Sequence, residues 1–225
     1  MSNESLPTEW IQRADESADE AFYAQPRFVT HIDEGAIAAV TQLYREFFPP
    51  GGTLLDLMSS WVSHLPLEAA YSRVVGLGMN EAELSANPRL DAYVIQNLNA
   101  DAHLPFADGY FDAAGLCVSI DYLTDPVAVL RETARVLRPG APMVVTFSNR
   151  CFPTKAVAVW HALDDIGRCQ LVAAFFRTAS EQYWTPATIL DRSPAEHRAI
   201  RFLPLSRGGG EALPGCLRGW PSNVC

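Results

Sequence analysis

Five short apolar runs, separated by turns and helical stretches, leave this chain few folds to choose from. They are Thr53–Met58 (TLLDLM), Arg73–Leu77 (RVVGL), Tyr93–Leu98 (YVIQNL), a run within Phe111–Ser119, and Pro142–Ser148 (PMVVTFS). Their hydrophobicity is nearly continuous rather than alternating, which predicts strands buried on both faces, as in a parallel sheet covered by helices. The intervening segments carry helix signals. Asp33 can cap a helix whose Ile37, Val40, Leu43, Tyr44 and Phe47 share one face, and Pro49-Pro50-Gly51-Gly52 ends it. Pro66 suits the first turn of a short helix through Ala70, and Asn80 with Glu81 and Glu83 opens another. Asp125-Pro126 starts a third, with Val127, Leu130, Ala134 and Leu137 on its buried face and Arg138-Pro139-Gly140 at its end. Right-handed crossovers make such a sheet doubly wound and put the ligand outside the carboxyl ends of the strands. The loops after Met58, Leu77, Leu98 and Ser119 then form the functional rim.

Outside this core, residues 1–32 are rich in acids and broken by Pro7 and Pro26, and they read as a flap. Residues 33–205 form the main domain. Within it, a helix-rich stretch follows Lys155, and Thr188–Leu190 and Ala199–Leu203 are candidate sixth and seventh strands. Residues 206–225 have the turn-rich composition of an irregular tail.

Composition narrows the function. At 48% hydrophobic and 19% charged residues the chain is an ordinary folded protein. Its net charge of −9 argues against a nucleic-acid partner, because phosphate neutralisation needs a basic surface. The basic residues are nearly all arginine, and Lys155 is the only lysine. Five cysteines, an odd number with no CxxC pair, fit a reducing compartment rather than a disulfide framework. The opening MSNESLPTEW lacks the basic start and apolar core of a signal peptide, and no apolar run is long enough to span a bilayer. The expectation is a cytoplasmic protein with neither membrane nor nucleic-acid partner. No His/Cys/carboxylate cluster has metal-ligand spacing, so no metal is expected.

Four fragments occur in a telling order: LLDL (Leu54–Leu57), VVGLGMNEAEL (Val74–Leu84), NADAHLPFADGYFDA (Asn99–Ala113) and RVLRPGAPMVVTFS (Arg135–Ser148). In order and spacing they resemble the type 11 branch of the class I S-adenosylmethionine-dependent methyltransferases. That resemblance implies a Rossmann-like, mostly parallel seven-stranded α/β sheet with helices on both faces and an antiparallel last strand. It also implies S-adenosylmethionine as cofactor and methyl transfer to a small acceptor. The cofactor contacts it implies are Asp56, Met58 and Ser59 after the first strand, and Gly78, Met79 and Asn80 after the second. Asn99, Asp101 and Ala102 follow the third, and Val118 and Ser119 the fourth. In the family, the residue matching Asp101 bonds the adenine amino group.

Two departures stand out. The family's first loop is glycine-rich so that the backbone can approach the ligand. Here the matching stretch is Met58-Ser59-Ser60-Trp61-Val62. At the end of the second strand, where the family commonly places a ribose-binding acid, this chain has Gly78. Asn80 or Glu81 is a substitute if the loop shifts; otherwise Asn80 is a helix cap. Trp61 and His64 are expected to project into the cleft. Methyl transfer depends mainly on positioning and desolvation, so a base is optional; Tyr122, His64 and His31 are the candidates. Tyr23, Arg27, His31 and Trp61 are expected against cofactor or acceptor. Asn149 and Arg150, with Lys155, are placed on the rim, and the two cations suggest an anionic acceptor.

The main alternative is a methyltransferase-like fold that no longer catalyses and serves as a binding or regulatory module. A nicotinamide-dependent oxidoreductase would want G-x-G-x-x-G after the first strand, and that motif is absent.

Overall fold

A computed structural model describes residues 6–148, 150–179, 183–192 and 200–206. Two one-turn helices, α1 (Thr8–Ile11) and α2 (Asp19–Phe22), precede α3 (Glu34–Phe47). The order continues with β1 (Thr53–Leu57), β2 (Arg73–Gly78), α4 (Glu81–Ala86), β3 (Ala92–Ile95) and β4 (Ala113–Cys117). A 3-10 turn at Ile120–Tyr122 leads to α5 (Pro126–Val136) and β5 (Pro142–Ser148), then α6 (Ala158–Ala162), α7 (Asp165–Ala179), β6 (Leu190–Asp191) and β7 (Ile200–Ser206).

The caps are those the sequence signals. Asp33, Asn80 and Asp125 accept hydrogen bonds from the backbone N–H groups of Ala36, Glu83 and Ala128, which starts α3, α4 and α5. Pro126 occupies the first turn of α5, where its missing N–H costs nothing.

The strands lie in the order β3-β2-β1-β4-β5-β7-β6. The first five are mutually parallel, with Leu54 opposite Val74 and Ala113, and β7 runs antiparallel to β5. Successive strand residues point to opposite faces. Leu55, Leu57, Val75 and Leu77 join a core that takes in Leu130 of α5 and Val172 of α7. Leu54, Val74 and Val144 join a second core with Val40, Leu43 and Tyr44 of α3. This is the mostly parallel α/β fold expected from the apolar runs.

One predicted element is absent. Pro66–Ala70 is a turn, not a helix. Five residues barely close one helical turn, and this stretch offers no apolar face: Leu67 is 87% exposed. Its carbonyls bond elsewhere, Ala69 O to Arg89 Nη2 and Ala70 O to the backbone N–H of Gly51. The connection from β1 to β2 is therefore an irregular loop, and that loop becomes a wall of the site. The tail beyond Ser206 lies outside the described residues.

Candidate functional site

A cleft opens at the carboxyl ends of β1, β2 and β4, between the loops that leave them and the N-terminal segment. From the first loop it gathers Asp56, Met58, Ser59, Trp61 and His64; from the second, Gly78, Met79 and Asn80. Asn99, Val118, Ser119 and Tyr122 line it from the far strands, Tyr23, Arg27 and His31 from the N-terminal segment, and Arg150 from beyond β5. Trp61 and His64 both line the cleft. Asn149 lies outside the described residues.

Asp101 and Ala102 are not brought to the cleft. The Asp101 carboxylate accepts from the backbone N–H of His103 at 2.9 Å, and its carbonyl accepts from Gln96 Nε2 at 2.8 Å. Asp101 is an exposed turn residue.

The first loop is held by its own polar groups. Ser59 Oγ and Ser63 Oγ both donate to Asp56 Oδ2 at 2.6 Å. Asn87 Nδ2 then donates to Ser63 Oγ and to the Ser60 carbonyl, each at 2.8 Å. Asp56 is buried, and loss of water pushes its pKa up to about 6, even though the two serine bonds favour the ionised form. Three residues of the rim, Met58, His64 and Val118, have left-handed backbone angles (φ 52, 52 and 45). For β-branched Val118 this is an outlier, of the kind that clusters at functional sites.

The two departures in the sequence turn out to be one adaptation. The Ser59 N–H donates to the Leu77 carbonyl at 2.8 Å, which draws the loop across the end of β2. A side-chain carbon at Gly78 would then lie 2.3 Å from the Ser59 carbonyl oxygen. With side chains in the first loop and its backbone laid over β2, the strand end must be bare, so no acid can stand there.

Asn80 serves as the helix cap, and its Nδ2 donates to the Tyr23 and Ala24 carbonyls. Asn99 is spent as well. Its Nδ2 donates to Asp19 Oδ2 and the Tyr122 carbonyl, and its Oδ1 accepts from the Thr124 N–H.

The N-terminal segment is strapped over the cleft by charge. Asp19, 4% exposed, meets Arg13 Nη1 at 2.7 Å and Lys155 Nζ at 3.2 Å. Lys155 is fully buried and also donates to the Ser17 carbonyl at 2.6 Å. Lys155 is thus removed from the rim, where the sequence placed it; only Arg150 remains there, exposed.

Phe152 sits at the centre of an aromatic wall, with ring centroids 5.3 Å from His31, 5.5 Å from Phe22, 5.9 Å from Tyr122 and 6.4 Å from Tyr23. Arg27 stacks over Phe22 and Phe152. Trp61 closes the other side, donating from Nε1 to the Val29 carbonyl at 3.1 Å. The Tyr122 hydroxyl accepts from the Phe152 N–H at 2.8 Å, and burial drives its pKa far above the ordinary tyrosine value. That shift favours the protonated hydroxyl. Loss of water lowers the pKa of both His31 and His64, the latter also through repulsion from His31. In both, the shift favours the neutral imidazole, the form a base requires.

Sequence reasoning did not find Phe152, Asp19 or Glu83. Glu83, read only as a first-turn acid, accepts from the Arg27 N–H at 2.6 Å and from Ser60 Oγ at 2.5 Å. Among the described residues no group of His, Cys, Asp and Glu is arranged to hold a metal, and no helix is long and apolar enough to cross a membrane. The lining suits a zwitterionic, hydroxyl-bearing cationic ligand: carboxylates at Asp56 and Glu83, apolar walls at Leu57 and Leu77, and π surfaces beyond.

Residues 59–145 match the family described as "Methyltransferase domain". The chain is 38% identical over 111 residues to a demethylmenaquinone methyltransferase of Mycobacterium sp. (strain KMS), covering 47% of each. It is 35% identical over 111 residues to a 2-phytyl-1,4-naphtoquinone methyltransferase of Synechococcus elongatus, covering 45% of this chain and 48% of that one. The chain spans about half the length of the curated relatives it matches. Among solved structures, an S-adenosylmethionine-dependent methyltransferase from Mesorhizobium loti shares the fold with a TM-score of 0.54 at 15% identity, over 75% of this chain and 98% of that one. The [4+2]-cyclase SpnF shares it at 0.57 and 16%, over 78% and 82%. Residues 59–145 are thus similar to a methyltransferase domain, and the strand order is that of the fold shared with the solved S-adenosylmethionine-dependent methyltransferases.

Proposed function

We propose that the cleft binds S-adenosylmethionine and directs its methyl group to a small acceptor lying against the aromatic wall. The observation that carries this reading is the division of the cleft into two chemistries. Carboxylates and strand ends lie on the β1–β2 side, and Phe152, Tyr122 and His31 lie beyond. When bound, the cofactor supplies an electrophilic methyl group on a sulfonium. The chain's own part is to hold and desolvate the two reactants, worth several kcal/mol of barrier when the geometry is right. Neutral His64 or His31 takes a proton from the acceptor. Arg150 and Arg27, which both line the cleft, favour an acceptor carrying negative charge. The relatives named as quinone methyltransferases support a planar ring acceptor, which would stack on Phe152.

The same reading takes residues 1–32 as a flap, 33–205 as the catalytic domain with the full seven-stranded family sheet covered on both faces, and 206–225 as an irregular tail. It places the enzyme in the cytoplasm with no nucleic-acid partner.

Titration with S-adenosylhomocysteine tests it. A saturable heat is expected, followed by methyl transfer to hydroxylated ring acceptors. The rival reading, a binding module without catalysis, is favoured by the bulky first loop lying over β2; no heat at millimolar ligand would decide for it.

A further inference from the structure

Three carboxylates line the cleft among the described residues: Asp19, Asp56 and Glu83. The first two are already engaged. Asp19 is buried between Arg13 and Lys155 and also takes the Asn99 amide. Asp56 is buried, and one of its oxygens receives both Ser59 and Ser63. Glu83 differs. It is half-buried, and each oxygen accepts one hydrogen bond, from the Arg27 N–H and from Ser60 Oγ. An ionised carboxylate offers about four acceptor directions, so Glu83, which lines the cleft, has room for two further donors.

Its position matters as much as its capacity. Glu83 stands in the first turn of α4, directly after the end of β2. That strand end is where a ribose-binding acid would ordinarily sit, and the Ser59 carbonyl has closed it to every residue but glycine. Neither Asp101 nor Glu81 lines the cleft. Resting on the cofactor reading above, we infer that Glu83 receives the ribose hydroxyls: the recognising acid has moved from the strand end into the helix. The same carboxylate ties the N-terminal segment, through Arg27, to the first loop, through Ser60. Ribose recognition and closure of the cleft thus meet on one side chain.

The test is calorimetric titration of the full chain with S-adenosylhomocysteine and with its 2′,3′-dideoxy analogue. Wild type should bind the analogue roughly ten- to a hundredfold more weakly, the range for a hydrogen bond to a charged group. Glu83→Gln should lose about that factor for S-adenosylhomocysteine and barely distinguish the two ligands, whereas Asp101→Ala should keep the full preference. Glu83→Asp, which retains the charge but shortens its reach, should fall between, and it carries the comparison if Glu83→Gln does not fold. A preference for the diol that persists in Glu83→Gln or is undiminished in Glu83→Asp would overturn the inference and leave cofactor binding intact. So would a wild type that binds both ligands equally. A wild type that binds neither would overturn the cofactor reading itself.

Discussion

The carbonyl oxygen of Ser59 occupies the place where the first side-chain carbon of any other residue at Gly78 would have to lie, 2.3 Å away. Backbone on backbone cannot yield as a flexible side chain can. Gly78→Ala should therefore displace the first loop and destabilise the fold by about 1–3 kcal/mol, the usual cost of overpacking. Gly78→Asp should be at least as damaging and should not improve cofactor affinity. Urea unfolding with parallel titration would check both; a stable, tighter-binding Gly78→Asp would refute the packing account.

Asp56 should make stability fall as pH rises across the weakly acid range. Its carboxyl ordinarily ionises near 3.8, and in the fold near 6. Between these values the folded chain holds more protons than the unfolded one, so each step up in pH favours unfolding. The contribution is greatest below about pH 4 and is lost by about pH 6, amounting to roughly 2–3 kcal/mol at most. Asp121, whose burial pushes its pKa up to about 7, adds a slope of the same sign that ends higher. Asp56→Asn should remove only the first slope, seen as the difference between the two stability–pH curves.

Lys155→Met should be costly, because the side chain is fully buried. It strips Asp19 of one buried partner, and breaking a buried pair costs roughly 3–5 kcal/mol. The lower end is expected because Arg13 still pairs with Asp19 at 2.7 Å. The double variant Asp19→Asn/Lys155→Met should recover part of the loss. Thermolysin should cut within residues 6–32 faster in the single variant than in either wild type or the double variant.

Tyr122 and His64 should separate by pH profile. Tyr122→Phe leaves the Phe152 N–H without its acceptor, at about 1–3 kcal/mol of stability, yet it should not change the shape of the turnover–pH curve. In wild type, turnover should rise with pH through the lowered histidine pKa and level off before neutrality. His64→Gln should abolish that acid limb and reduce turnover, by about 10²–10⁴ if His64 is the main base. An unchanged limb would reassign the role to His31.

The sheet was legible because buried parallel strands announce themselves in a few consecutive residues, and caps such as Asp33 and Asp125 act within three. Pro66–Ala70 misled because proline marks a permitted helix start without supplying the apolar face that would sustain one. In the cleft, position along a strand end points to Trp61, His64 and Val118, and all three line it. What local reading missed was commitment. Asn99 is spent on Asp19, 80 residues away in sequence, and Lys155 on Ser17, 138 away. Whether a polar side chain is free for a ligand depends on such distant partners, and a strand–loop motif carries no trace of them.

Lys155 gives the chain a built-in clock. It is the only lysine in the sequence and is sealed from solvent, with its amine against Asp15, Ser17 and Asp19, so lifting of the N-terminal segment would open it to an acylating reagent. The rate of its acylation, compared with that of an exposed amine, therefore measures the free energy of that opening directly. A ligand that seats the segment should slow the clock without touching the lysine itself.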